Sequence, residues 1–151
     1  MNKRIIILIL FTLIILICIV STIQLNTTPN DISNFKELIK KENFLIKDTT
    51  NDYNDPIVKE SYIAYNNEYQ IEVIVFNNDT DSENAFKANI TSLTLNDNVE
   101  ENIKKYKKYT LYTYINNTKY VYIRKQKNTL LYIDTNIEYK ESINAIIDKL
   151  I

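Results

Sequence analysis

Tyr62-Ile-Ala-Tyr65, Asn66-Asn67 and then Glu68-Tyr-Gln-Ile-Glu-Val-Ile-Val-Phe76 is the stretch that decides the fold. Tyr69, Ile71, Val73 and Val75 alternate with Glu68, Gln70, Glu72 and Ile74, the period of a strand with one buried face. Asn66-Asn67 interrupts two such runs. Read as a two-residue hairpin turn, it pairs Ala64 with Tyr69 and Tyr62 with Ile71. The chain has no glycine, so left-handed turn positions fall to Asn or Asp. The pairs Asn66-Asn67, Asn77-Asn78 and Asn116-Asn117 stand where such turns are needed.

Working upstream, Asp48 to Pro56 reads as a polar loop and Phe44 to Ile46 as a short strand. Asp31 to Asn43 reads as a helix, with Ile32, Phe35, Leu38 and Ile39 on one face and Asn30 or Asp31 as its cap. Downstream, Thr80-Asp-Ser-Glu83 fits a capping box and opens a helix to about Leu95 that buries Ala85, Phe86, Ile90 and Leu93. Asn96 to Asn102 reads as an acidic loop. A three-stranded meander follows: Lys108 to Ile115, Thr118 to Lys125 and Thr129 to Ile133, with turns at Asn116-Asn117 and Lys127-Asn128. Thr135 and Glu138 suggest another capping box, before a last helix, Ile137 to Leu150, that buries Ile143, Ile146, Ile147 and Leu150. The order α-(β)-β-β-α-β-β-β-α predicts an α+β domain, an antiparallel sheet with about three helices on one face. The two hairpins align on their Asn-Asn turns, Tyr69–Val73 against Lys119–Ile123. This reads as two ordinary hairpins in a biased composition, with a worn internal duplication as the alternative.

The far N-terminus carries the address. Lys3-Arg4 precedes Ile5 to Val20, sixteen residues without a charge, and the next charge is Asp31. With Ser21 to Ile23 the run makes a helix of roughly 28 Å, close to a hydrocarbon core. The basic residues keep the N-terminus in the cytoplasm. The expected organisation is a cytoplasmic end (1–4), a transmembrane anchor (5–23), a linker (24–30) and an extracytoplasmic domain (31–151). A cleaved signal and secretion is the alternative. Val20-Ser21-Thr22 matches a small-x-small cut site poorly. Cys18, the only cysteine, lies within the apolar run after bulky Ile17 and reads as a small apolar filler.

The chemistry of the exported part is bounded by what it lacks. Without histidine there is no Ser-His or Cys-His pair and no imidazole ligand. Without an exported thiol there is no zinc site of the usual kind and no disulfide. Without glycine there is no Gly-rich phosphate loop or dinucleotide fingerprint. Neither cofactor nor metal is expected. Asn77 to Glu83 begins like a calcium loop but lacks the turn glycine, and its twelfth residue is Ala88; a turn and helix cap explain it.

Charge is split. Residues 31–101 hold fifteen acids against six lysines, whereas 102–133 hold eight basic residues and no acid: Lys104, Lys105, Lys107, Lys108, Lys119, Arg124, Lys125 and Lys127. Tyrosines interleave with them. If the second hairpin shares the inner face of the first, Tyr112, Tyr114, Val121 and Ile123 face the helices. Tyr109, Leu111, Tyr120, Tyr122 and Arg124 then face away. The candidate binding surface is therefore Lys108, Lys119, Arg124, Lys125 and Lys127 with Tyr109, Tyr120 and Tyr122. It suits an anionic envelope polymer, an envelope protein or anionic headgroups rather than nucleic acid. The bland alternative is composition: tyrosine favours strands and lysine guards sheet edges. The expected function is a membrane-anchored extracytoplasmic binding or interaction module. The alternative is a small surface enzyme with a carboxylate pair or a Ser-Lys site.

The element order, with stretches such as Glu83-Asn-Ala-Phe86 and Asn128-Thr-Leu-Leu-Tyr132, resembles small membrane-anchored extracytoplasmic proteins of low-GC Firmicutes. The resemblance implies an address and a fold class only.

Overall fold

The structure is a computed structural model that describes residues 32–53, 55–93 and 99–150. Its elements are α1 (Ile32–Lys41), β1 (Leu45–Asp48), a 3-10 turn (Thr50–Tyr53), β2 (Val58–Tyr65), β3 (Gln70–Phe76), α2 (Asp79–Leu93), β4 (Glu100–Lys105), β5 (Thr110–Ile115), β6 (Lys119–Gln126), β7 (Thr129–Asn136), a second 3-10 turn (Ile137–Tyr139) and α3 (Lys140–Leu150). The expected anchor, 5–23, lies outside the described residues. Among those residues no helix is long and apolar enough to cross a membrane.

All seven strands join one antiparallel sheet in the order β1-β2-β3-β7-β6-β5-β4. The α+β class and the three helices are as read from the sequence, but the helices do not share a face. On one side Phe35 and Ile39 of α1 and Ile143, Ile146, Ile147 and Leu150 of α3 pack on Ile71, Val73, Tyr120, Tyr122, Leu131 and Ile133. On the other, Phe86 of α2 packs with Ile74, Phe76, Tyr112, Tyr114, Val121, Ile123 and Leu130. Burial of Phe35 and Ile39 contributes roughly 3–6 kcal/mol together. That burial holds a ten-residue helix too short to persist alone.

The strand order is palindromic. Exchanging β1 with β4, β2 with β5 and β3 with β6 leaves it unchanged, with β7 at the centre. β3 and β6 are each antiparallel to β7, so they run the same way. The exchange also inverts the faces: Ile71 and Val73 lie on the α1 side, Val121 and Ile123 on the α2 side. The units α1-β1-β2-β3 and α2-β4-β5-β6 are thus related by an approximate two-fold axis along β7. Their hairpins match pair for pair: Ala64 faces Ile71 as Tyr114 faces Val121, and Tyr62 faces Val73 as Tyr112 faces Ile123. This is the arrangement expected of a duplicated unit rather than of two unrelated hairpins.

The Asn66-Asn67 and Asn116-Asn117 turns are longer than the two residues expected, whereas the Lys127-Asn128 turn has two. Tyr65 pairs with Gln70, leaving Asn66–Tyr69 as a four-residue loop. Asn66 Oδ1 accepts the Glu68 and Tyr69 N–H groups at 2.8 and 2.9 Å. Asn116 Oδ1 does the same for Thr118 and Lys119 at 2.9 and 2.7 Å. These side-chain bonds stabilise the longer loop. The resulting register shift of two residues is even, so Tyr62, Ala64, Ile71 and Val73 still share one face. Neither capping box forms as read. The Asn78 Oδ1 caps α2 by accepting the Asp81 N–H at 3.0 Å, and Asn136 leads into the 3-10 turn with no side-chain cap bond.

Candidate functional site

The second unit carries eight cations against five in the first, and its β4–β5 hairpin concentrates them. Lys105 pairs with Thr110, and the Tyr106 N–H donates to the Tyr109 carbonyl at 2.8 Å. Between them Tyr106-Lys107-Lys108-Tyr109 forms a four-residue loop of the same length as 66–69 and 116–119. The Tyr106 and Tyr109 rings stack, centroids 4.5 Å apart and planes inclined by 26°. Under Tyr109 lies Arg124, whose guanidinium carbon is 4.3 Å from the ring centroid. Arg124, Tyr109 and Tyr106 make a ladder from the sheet to an exposed ring at the tip; Tyr106 is 47% exposed.

Arg124 itself is only 4% exposed. Its Nη2 donates to Gln126 Oε1 at 2.7 Å, while Nε and Nη1 have no partner. Burial lowers its pKa, opposed by the Tyr122 and Tyr109 hydroxyls. A cavity of about 20 Å³ lies beside it, lined by Phe35, Val73, Gln126, Thr129, Leu131 and Leu150. That is room for one water molecule and no ligand. Arg124 therefore supports the hairpin and does not face solvent.

The expected surface divides. Lys108 and Tyr109 are in the hairpin loop. Lys127 is exposed in the β6–β7 turn with a left-handed φ of 48°; its carbonyl accepts the buried Ser82 hydroxyl at 2.7 Å. Lys125 is largely covered and pairs with Glu83 Oε2 at 3.1 Å. That bond, with a second from Lys87, lowers the Glu83 pKa. Lys119 sits at the opposite end of the sheet, paired with Asp134 Oδ2 at 2.8 Å. There it borders an open polar cleft of about 630 Å³ between the 66–69 and 116–119 loops and the end of β7.

Tyr120, Tyr122 and Arg124 do not face away from the helices as expected. They are buried on the α1 and α3 side, at 3, 4 and 4% exposure, and the Tyr120 hydroxyl donates to Asn144 Oδ1 at 2.9 Å. The assumed inner face, Tyr112, Tyr114, Val121 and Ile123, is covered by α2. Both faces are therefore interior.

The structure adds residues outside the expected surface: Lys104, Lys105, Tyr106 and Lys107. All are exposed, and no ion pair joins Lys104, Lys105 or Lys107 to an acid among the described residues. The repeat Lys104-Lys-Tyr-Lys-Lys-Tyr109 was visible in the sequence, but it fell between the expected loop and the expected strand. Among the described residues, no group of three or more His, Cys, Asp or Glu side chains could hold a metal ion. No protein-family model matches the chain, and neither a curated protein nor a solved structure matches it.

Proposed function

We propose that this chain is a membrane-anchored, extracytoplasmic interaction module that binds an anionic envelope partner through the β4–β5 hairpin. The observation that carries the reading is the hairpin tip: four exposed lysines at 104, 105, 107 and 108 around a stacked tyrosine pair, set on a guanidinium. Cations of one sign focus the local potential toward phosphate or carboxylate groups. The flat ring of Tyr106 adds apolar area beside them, suited to a sugar face or a lipid–water boundary. The anchor supports the reading by fixing the address: sixteen uncharged residues behind Lys3-Arg4. Chemistry of the enzyme alternative gains nothing comparable. The buried Ser61 and Ser82 hydroxyls are engaged with Thr49 and with the Asp79 and Lys127 carbonyls.

The test uses the full chain in discs of neutral lipid, with soluble poly(glycerol phosphate) as the probe. Binding is expected at low salt, weakening as ionic strength rises. Lys104→Glu/Lys105→Glu/Lys107→Glu should abolish it with the circular dichroism unchanged. Binding that survives this triple change would refute the assignment to the hairpin.

A further inference from the structure

We infer that the β4–β5 hairpin rests on the phosphate headgroups of the same bilayer that anchors the chain, an inference that depends on the anchor reading above. The argument is geometric. Ile32 and Ser33, where the described chain begins, line a groove with Lys59, Glu60, Val75, Asn128 and Thr129. The first described residues therefore lie beside the β6–β7 turn. Register carries that end across the sheet: Glu60 pairs with Val75, Val75 with Thr129 and Thr129 with Gln126. One row in, Leu130 pairs with Lys125, Lys125 with Thr110 and Thr110 with Lys105. The 106–109 loop lies just beyond that row. The start of α1 and the basic tip share one end of the sheet, about three strand spacings or roughly 14 Å apart.

Residues 24–30 reach at most about 25 Å when fully extended. A domain tethered so closely keeps its entry end near the headgroups. The hairpin can then meet them without leaving the tether's radius. The acids of the entry end are Glu60 in the groove itself, Asp55 before β2, Asp79 and Asp81 at the start of α2, and Glu83, which is paired with Lys125. Residues 104–109 carry four lysines and no acid, so the domain should tilt with β4–β5 toward an anionic surface. Tyr106 would sit at the boundary, where an apolar ring with a polar tip is favoured.

The test uses the full chain with Cys18→Ser and a single introduced thiol, Lys107→Cys at the tip or Asn67→Cys at the far end. Each carries an environment-sensitive dye and is reconstituted in vesicles bearing a headgroup quencher. In phosphatidylglycerol-rich vesicles the dye at position 107 should be quenched and the dye at 67 should not. In phosphatidylcholine vesicles, or after Lys104→Glu/Lys105→Glu, quenching at 107 should fall at least about tenfold, following the weak per-lysine attraction to anionic surfaces. Equal quenching at 67 and 107, or none at 107 in the anionic vesicles, would overturn the inference. So would quenching at 107 that is unchanged by Lys104→Glu/Lys105→Glu. Alkaline extraction is read separately: a chain that leaves the vesicle has no anchor, whatever the dyes report.

Discussion

The Arg124 guanidinium lies 4.3 Å from the centre of the Tyr109 ring and is almost wholly buried, with two of its nitrogens unpartnered. A buried cation with no carboxylate partner is a poor source of stability. Arg124→Met should therefore leave unfolding free energy within about 1 kcal/mol of the natural chain, or raise it, because the walls beside it are largely apolar. Arg124→Glu should be strongly destabilising, since it places a carboxylate beside Tyr122 and Gln126 with no cation to meet it. Urea unfolding followed by circular dichroism measures both. A large loss for Arg124→Met would show that its bonds and its contact with Tyr109 outweigh its desolvation.

Ile71 and Tyr122 cover the same helix pair. Ile71→Asp buries an unpaired charge at a fully covered position, and no cooperative unfolding transition should remain. Tyr122→Ala should cost about 3–5 kcal/mol, the range for emptying an aromatic site. Tyr120→Phe, which loses only the hydroxyl bond to Asn144, should cost about 1 kcal/mol. Near-native stability of Tyr122→Ala would put the ring outside the core.

Lys127 holds a left-handed backbone at φ 48° in a chain with no glycine to spare for it. Lys127→Gly relieves the clash of its Cβ with the carbonyl and should stabilise the domain by about 1 kcal/mol, less the added entropy of the unfolded chain. A calorimetric melting temperature that falls would show that the lysine side chain contributes more than the strain it carries.

Alkaline pH should unfold the domain through its tyrosines. Burial pushes Tyr112, Tyr120 and Tyr132 up to about 12. Their folded values lie above the unfolded value near 10. The folded state therefore holds more protons across that window. Its stability is complete below about pH 10 and is lost as pH climbs toward 12. Tyrosinate ultraviolet absorbance from these three should appear together with the loss of far-ultraviolet dichroism. A smooth titration of all the tyrosines around pH 10 would contradict their burial.

Apolar period made most of the fold legible. The alternation from Tyr69 to Val73 and the helical spacing of Phe35 and Ile39 each marked a face that the structure buries. What escaped the reading escaped for physical reasons. β4 packs against neither face, all six of its residues are exposed, and a strand with no buried side chain leaves no period to see. β6 fails in the opposite way: Tyr120 to Arg124 is covered on both sides, so no alternation separates inner from outer. Tyrosine, apolar in body and polar at its tip, concealed that double burial. The site was legible as a basic block but not as a place. Only the pairing of Lys105 with Thr110, and the salt bridges of Lys119 and Lys125, separate the lysines at the tip from those spent within the fold.

The strand at the middle of the sheet is made after the six others that join it. Both halves of the palindrome, complete in themselves by residue 126, wait for residues 129–136 to join them. Until then β3 and β6 each hold an open edge, a template for pairing with any passing strand. A ribosome adds residues at roughly 5–20 per second, so the first half stands open for several seconds before its partner edge arrives. Termination between β6 and β7 would release two half-sheets with open edges rather than a smaller stable domain. The vulnerable period of this protein is thus set by the order of its synthesis, and it ends when a single eight-residue strand slides between two finished halves.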